Sequence, residues 1–156
     1  FPDGAFTAVT AESVLEHVRD QKQAVGEAAR VLAADGRFCT STPNKFSLGP
    51  DPQVGIPAGG YLPDGVIAWL VRRQGGIPPK RQLLSRRSLA RLLRDAGFEN
   101  VTIALPDVPP EQRAHFSGLL ALAIDGYHRV KRLPGGRPLL EWIGPLLHGC
   151  GVRRDT

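Results

Sequence analysis

The chain has 156 residues, a length typical of a single domain. Apolar residues make up 42% of the sequence, which suffices for a packed core and excludes a fully disordered chain. Lys and Arg number 20 against 15 Asp and Glu, so the formal net charge is +5, and no apolar run reaches the ~18 residues that a membrane-spanning helix needs.

Two residue types that are rare or absent also carry information. The chain contains no methionine, and its first residues resemble neither a signal peptide nor a transit peptide, so we expect the chain to begin inside a larger protein. Its two cysteines, Cys39 and Cys150, make neither a disulfide framework nor a zinc site. We interpret them as two reduced thiols of a cytoplasmic protein rather than as a redox pair.

Residues 1–44 carry the pattern strand, helix, strand. Phe6 to Ala11 (FTAVTA) reads as a short buried strand. Asp20 is predicted to cap a helix with an apolar stripe, and Gly36 is predicted to end it with a left-handed backbone. Arg37 to Thr42 is the second predicted strand, and Pro43-Asn44 ends it. Tight connections of this kind are typical of a parallel sheet.

The remainder divides into two parts, so the single domain 1–156 has three. In residues 45–81 Gly and Pro recur, which predicts an irregular lid or substrate region that contains one short helix from Val66 to Arg73. In residues 82–156, Ser85 is predicted to cap a helix that runs through Ala96 and that Gly97 ends. A strand from Val101 to Leu105 and a helix from Pro109 onward follow. The last predicted elements are a short helix from Leu139 to Ile143 and a final edge strand from Leu146 to Val152.

Three stretches of the chain, taken in order, carry a family resemblance. They are Phe6 to Asp20 (FTAVTAESVLEHVRD), Glu27 to Phe38 (EAARVLAADGRF) and Ser41 to Asn44 (STPN). Together they resemble the C-terminal half of a class I S-adenosylmethionine-dependent methyltransferase, in the branch that includes methyltransferase type 11 and ubiquinone-biosynthesis enzymes. The resemblance implies an α/β fold: the C-terminal half of a Rossmann-like doubly wound sheet, with strands equivalent to the fourth to seventh of that family and flanking helices.

The resemblance also implies a cofactor site. In the family, the loop after the first of these strands backs the methionine part of S-adenosylmethionine, and that role falls on Thr10, Ala11 and Glu12, mainly through the backbone. The alternative for Glu12 is a solvated loop carboxylate. The glycine-rich turn and the acidic residue with which the family holds the cofactor have no match in this sequence, so we expect the chain alone to bind the cofactor weakly or not at all.

Acceptor binding and catalysis are assigned to residues after each of the two strands. By resemblance, Asn44, Phe46 and Tyr61 face a small-molecule acceptor; the alternative is an ordinary loop with aromatic side chains packed on the core.

His17 is the candidate catalytic base, since an imidazole exchanges a proton near neutral pH. Some relatives bind a metal through Glu-x-x-Glu-His, but Ser13 replaces the first Glu here, and no metal site is predicted. The favoured alternative is that Glu16 and His17 orient the loop.

A run of basic residues supports a rival function. It has no acidic residue between its members, and it could contact nucleic acid or an anionic membrane surface. No aromatic residue is interleaved, which disfavours nucleic acid, and a solvated helix face is the favoured interpretation. Trp69 beside the run leaves peripheral membrane contact open, and the oligomeric state is undetermined. The run comprises Arg72, Arg73, Lys80, Arg81, Arg86, Arg87, Arg91 and Arg94.

Overall fold

The computed structural model of the chain describes residues 1–49, 55–56, 58–78, 80–105 and 118–154. They form a mixed sheet with helices packed against it. The strands are β1 (Phe6–Glu12), β2 (Leu32–Pro43), β3 (Phe98–Ala104) and β4 (Leu146–Arg153). The helices are α1 (Gln21–Val31), α2 (Asp64–Arg73), α3 (Arg86–Asp95), α4 (Gly118–Arg132) and α5 (Gly136–Ile143), and short 3-10 turns span Leu15–His17 and Gly59–Tyr61.

The sheet has the strand order β1-β2-β4-β3. β1 and β2 pair in parallel, as the strand–helix–strand pattern predicts, whereas β4 runs antiparallel to both β2 and β3. The predicted α/β class is therefore confirmed, with helices flanking a four-stranded sheet. The strands join residues far apart in the chain into one layer. The carboxyl ends of the parallel strands β1 and β2 lie at the edge where ligands bind in open α/β sheets.

The prediction of β4 as an edge strand is wrong, because β4 lies between β2 and β3. Gly149 and Gly151 suggested a weak edge, but both are buried. A Cβ atom at Gly149 would lie 3.1 Å from Leu89 and 3.3 Å from Leu93 of α3, and one at Gly151 would lie 2.9 Å from Phe98. The two glycines therefore let helix and strand side chains pack closely on the middle of the sheet.

The boundary between α1 and β2 differs from the prediction. The Asp20 side chain caps α1 as expected, accepting a hydrogen bond of 2.9 Å from the Gln23 backbone N–H. However, α1 ends at Val31, β2 follows directly, and the left-handed residue is Asp35, with φ of +58°, rather than Gly36. At Gly36 a Cβ atom would lie 2.8 Å from a backbone oxygen, so the position requires glycine for space and not for a left-handed turn.

Local signals predicted α3 correctly. Ser85 and Ser88 form a reciprocal capping box: the Ser85 hydroxyl accepts from the Ser88 N–H at 3.2 Å, and the Ser88 hydroxyl accepts from the Ser85 N–H at 2.7 Å. Gly97 follows with φ of +88°. The buried face of α3 joins a core of Leu15, Val25, Leu32, Phe38, Leu84, Leu89, Leu92, Leu93, Phe98 and Leu147.

The predicted irregular region contains more order than its Gly and Pro content suggests. α2 begins at Asp64, just before the predicted helix, and buries Ile67 and Val71 in a small second cluster with Ile56. The predicted helix from Pro109 begins outside the described residues, and α4 is described from Gly118 onward.

The two cysteines form a disulfide, so the prediction of reduced thiols is wrong. Cys39 of β2 and Cys150 of β4 are directly paired across the antiparallel ladder, with Cα atoms 4.2 Å apart. They are 111 residues apart in sequence. Only the sheet topology, which places β4 beside β2, brings them together.

Candidate functional site

The carboxyl ends of β1 and β2 lie at the same edge of the sheet, because the strands are parallel and paired in register. β1 leads into the 3-10 turn Leu15–His17, and β2 leads into the loop that begins at Asn44. In open α/β sheets, ligands bind at this edge. The residues that follow the two strands therefore define the candidate site.

The predicted cofactor residues are tied to β2. The Ala11 carbonyl accepts a hydrogen bond of 2.7 Å from the Thr40 hydroxyl, and the Glu12 carboxylate accepts one from the Ser41 hydroxyl. Glu12 is exposed but has this fixed partner, so it is not simply a solvated carboxylate. The chain then turns sharply at Ser13, whose φ is +52°. Such a backbone is uncommon outside glycine and often marks a functional turn.

Glu16 occupies the most unusual environment of the site. Its side chain is 1% exposed. Oε2 accepts a hydrogen bond of 3.0 Å from the buried Thr42 hydroxyl, whereas Oε1 is buried and has no hydrogen-bond partner within the described residues. The Glu16 carbonyl accepts a 2.7 Å hydrogen bond from the Gln82 N–H, so this residue also ties the turn to a distant segment. The neighbouring His17 is exposed.

A groove of about 1010 Å³ opens beside this edge of the sheet, and we call it the α2 groove. One wall is the turn after β1, another is the start of the loop after β2, and the third is α2 with the segment that follows it. Its lining residues are Glu16, His17, Val18, Arg19, Lys45, Gly59, Gly60, Leu62, Asp64, Ile67, Ala68, Arg72, Ile77, Pro78, Lys80, Arg81, Gln82 and Leu83.

The fold divides the basic run between two surfaces. Arg72, Lys80 and Arg81 line the α2 groove. Four arginines of α3 instead surround a separate hollow of about 360 Å³, where one of them forms a 3.1 Å ion pair with Glu141. Arg73 lies over the Trp69 ring, 5.4 Å from its centroid.

The predicted acceptor residues lie next to the groove rather than in its lining. The buried Asn44 amide donates to the Trp142 and Gly144 carbonyls at 2.9 and 3.0 Å and accepts from the Phe46 N–H at 3.1 Å. The Tyr61 hydroxyl donates to the Phe46 carbonyl at 3.0 Å, and the two rings lie 5.6 Å apart. These contacts hold Asn44 within the fold, whereas Tyr61 is 52% exposed and is not packed on the core. Their roles in acceptor binding stay predictions.

Sequence analysis missed the residues that line the groove between the predicted ones. Lys45 directly follows Asn44, and Gly60 and Leu62 flank Tyr61, yet only these neighbours reach the groove. The basic run did single out Arg72, Lys80 and Arg81, which line the groove. Nothing in the sequence indicates which of its members share a cavity.

The described residues contain no group of three or more His, Cys, Asp and Glu residues that could hold a metal ion. None of the helices within them is both long enough and apolar enough to cross a membrane.

A family model described as "Methyltransferase domain" matches residues 1–103. The chain belongs to this family. It is 35% identical over 111 residues to an uncharacterized 37.1 kDa protein of a Streptomyces fradiae transposon. The matched region covers 69% of this chain and 27% of that protein. The chain is 30% identical over 102 residues to a probable S-adenosylmethionine-dependent methyltransferase of Mycobacterium tuberculosis, covering 65% of this chain and 30% of that protein.

Solved structures agree with the fold. The chain superposes with a TM-score of 0.57 and 15% identity on an S-adenosylmethionine-dependent methyltransferase of Thermotoga maritima, described as a possible histamine N-methyltransferase, covering 98% of this chain and 58% of that one. The methyltransferase resemblance, its Rossmann-like fold and its family cofactor, S-adenosylmethionine, are thereby confirmed. The chain spans less than a third of each curated relative named above.

The end of β1 is where the family resemblance predicts that the methionine part of S-adenosylmethionine binds. β1 is the outer strand of the described sheet, so one edge of its backbone has no strand partner there. Free N–H and C=O groups at such an edge suit the carboxylate and amino groups of a methionine moiety. Thr10, Ala11 and Glu12 would provide these contacts, whereas the sequence has no G-x-G-x-x-G motif for the rest of the cofactor.

Proposed function

We propose that this chain forms the acceptor side of a site that transfers a methyl group from S-adenosylmethionine to a small molecule. The observation that carries the proposal is the α2 groove: about 1010 Å³ of space beside the carboxyl ends of β1 and β2, with buried Glu16 in its wall. This volume lies at the upper end of small-molecule sites, about 300–1,000 Å³. Membership of the methyltransferase family supports the reaction type.

Each candidate residue has a role in this proposal. S-adenosylmethionine supplies a methyl group whose bonding electrons remain on its sulfur when the acceptor oxygen or nitrogen forms the new bond. The acceptor loses a proton, and His17 in the groove wall is the candidate base for it. Thr10, Ala11 and Glu12 position the cofactor. Holding both reactants in line supplies most of the rate enhancement, which suits a site with few reactive side chains.

Two kinds of variant test the proposal in the natural protein that contains this sequence. Ala11→Leu places bulk at the half-buried carboxyl end of β1, and we expect it to raise the KM for S-adenosylmethionine. Ala8→Leu, on the same strand but away from that end, is the matched control and should leave the KM unchanged. Labelled methyl transfer measures both. Equal effects of the two variants would contradict the placement of the cofactor.

A second pair of measurements tests the base. If His17 is the base, His17→Asn should lower kcat about 10²-fold or more and alter the pH profile of kcat. If His17 only orients the loop, the variant should change the free energy of unfolding and leave the pH profile of kcat as it is. An unaltered pH profile in the variant would assign proton transfer elsewhere.

The alternative function is a basic module that binds nucleic acid or an anionic membrane. It is supported by the exposed arginines of α3 outside the groove, Arg87, Arg91 and Arg94, and by Trp69, which is 55% exposed. Steeply salt-dependent binding to nucleic acid or anionic vesicles would favour it. The predicted cytoplasmic location loses its original support, since the two thiols form a disulfide.

A further inference from the structure

The α2 groove has a strongly positive lining. Five basic side chains face two acidic ones, Glu16 and Asp64, among its lining residues. The basic side chains come from four separate parts of the chain: the turn after β1, the loop after β2, α2, and the segment before α3. Because they are distant in sequence, their convergence on one cavity is not a by-product of a single charged helix. They are Arg19, Lys45, Arg72, Lys80 and Arg81.

Several of these cations have no acidic partner in the part of the chain that the structure describes. Within the described residues, no ion pair joins Lys45, Arg72 or Lys80 to a carboxylate. The arginines of α3 differ, since Arg86 forms an ion pair with Glu141. Unpaired like charges around one concave surface repel each other and raise the local concentration of anions. A bound anion would relieve this repulsion.

Buried Glu16 supplies an independent indication of a polar ligand. Glu16 is one of the lining residues of the groove, and its Oε1 atom is shielded from solvent and has no hydrogen-bond partner within the described residues. A buried polar atom normally has a partner, since its separation from water is otherwise uncompensated. A hydroxyl or amino group of a ligand would donate to this oxygen.

We propose that the α2 groove binds an acceptor that carries a phosphate group. The phosphate contacts Lys45, Arg72 and Lys80, and the hydroxyl or amino group that receives the methyl group donates to Glu16. Phosphate is favoured over a single carboxylate because the excess of positive charge in the groove exceeds one, and because guanidinium and ammonium groups bind phosphate oxygens well. This inference rests on the proposed role of the groove as the acceptor site.

Titration of inorganic phosphate into the ¹⁵N-labelled full chain tests the inference, with ionic strength held constant by sodium chloride. We expect saturable amide shifts in residues 16–19, 59–62, 77 and 80–83. The double variant Arg72→Gln/Lys80→Gln should weaken binding about tenfold or more, since it removes two charge-assisted hydrogen bonds. The matched control, Arg87→Gln/Arg94→Gln on α3, loses the same charge outside the groove and should bind phosphate normally.

Three outcomes would overturn the inference. They are shifts that do not saturate, equal weakening in both double variants, and acetate binding as tightly as phosphate. The first two would show nonspecific attraction to a basic surface, and the third would show a carboxylate site. Failure of the proposed function is distinguishable from failure of this inference. Methyl transfer to a neutral acceptor without phosphate binding would contradict this inference alone. Phosphate binding without methyl transfer would contradict the proposed reaction and the role of the phosphate compound as acceptor, and would leave the phosphate site in the groove.

Discussion

We expect the buried carboxylate of Glu16 to lower the stability of the fold and to serve the proposed acceptor site. Its carboxylate is buried, with one oxygen held by Thr42 and the other without a partner in the described residues. Glu16→Gln keeps the size of the side chain and replaces the buried carboxyl group by an amide, so we expect it to raise the free energy of unfolding by about 1 kcal/mol in the absence of ligand. Urea denaturation at neutral pH measures this change. The same variant should lower methyl transfer.

Thr42→Val provides the opposite test of the same environment. Valine retains the shape of threonine but cannot donate, so both oxygens of Glu16 would then lack a protein partner. We expect the free energy of unfolding to fall by about 1–3 kcal/mol. If Glu16→Gln and Thr42→Val both destabilise the protein by similar amounts, the buried carboxylate is stabilising as it stands, and a ligand is not needed to satisfy it.

Arg30 gives a residue-scale prediction of pH dependence. It binds Glu27 at 2.8 Å and also contacts Asp3, which ties residues 1–4 to α1. The hydrogen bond from Arg30 holds the pKa of Glu27 below its ordinary value of 4.5. A lowered folded-state pKa contributes stability above the ordinary pKa, and this stability is lost as pH falls through the lowered pKa. In Arg30→Gln the free energy of unfolding should therefore fall less as the pH is lowered, and urea denaturation at a series of pH values measures this. An equal fall in the variant and the natural chain would contradict the prediction.

At the scale of elements, the 3-10 turn at residues 59–61 is packed against the start of the loop after β2. A Cβ atom on Gly60 would lie 1.8 Å from the Lys45 carbonyl oxygen, so Gly60→Ala must displace the turn and deform the α2 groove. We expect a loss of about 1–3 kcal/mol in the free energy of unfolding and weaker phosphate binding. Gly65→Ala in α2 meets no atom within 4 Å and should be neutral or stabilising by up to about 1 kcal/mol. Similar losses in both variants would contradict the close contact.

The Cys39–Cys150 disulfide joins β2 to β4 and closes a loop of 111 residues. Restricting the unfolded chain in this way stabilises a protein by about 2–4 kcal/mol. Cys150→Ser should therefore lower the free energy of unfolding by about that amount, and dithiothreitol should lower that of the natural chain equally. The reductant should not affect the variant. A natural chain that is insensitive to dithiothreitol would show that the strand pairing alone holds β4 in place.

The elements that sequence analysis predicted well are those with local signals. α3 carries its own cap at Ser85, its apolar stripe and its stop at Gly97, all within a few residues. The position of β4 could not be predicted in the same way, because Gly149 and Gly151 are typical of a weak edge until side chains of α3 and β3 are known to pack over them. The disulfide depends on that same position. Local patterns specify elements, whereas tertiary packing decides their neighbours.

At the scale of the whole molecule, the family resemblance supplied what local patterns could not. It indicated the Rossmann-like fold and the family cofactor, S-adenosylmethionine, and both are confirmed. The site that it places at the carboxyl ends of β1 and β2 stays a prediction. The resemblance did not indicate the α2 groove, whose lining joins residues as far apart as Arg19 and Lys80 and depends on how the irregular region folds back. The predicted acceptor residues therefore fall beside the groove and not within its lining.

The last prediction concerns the cofactor. The proposed site places the methionine part of S-adenosylmethionine at the end of β1, but the sequence has no glycine-rich turn to hold the remainder. Because a few backbone hydrogen bonds at one edge contribute little net affinity, we expect isothermal titration calorimetry of residues 1–156 to show no micromolar binding. A methyltransferase of the same family with a known affinity for S-adenosylmethionine, titrated in the same buffer, is the positive control. Micromolar binding by residues 1–156 alone would show that the described sheet edge and loops already form a complete cofactor site, and the roles given to Thr10, Ala11 and Glu12 would then extend to the whole ligand.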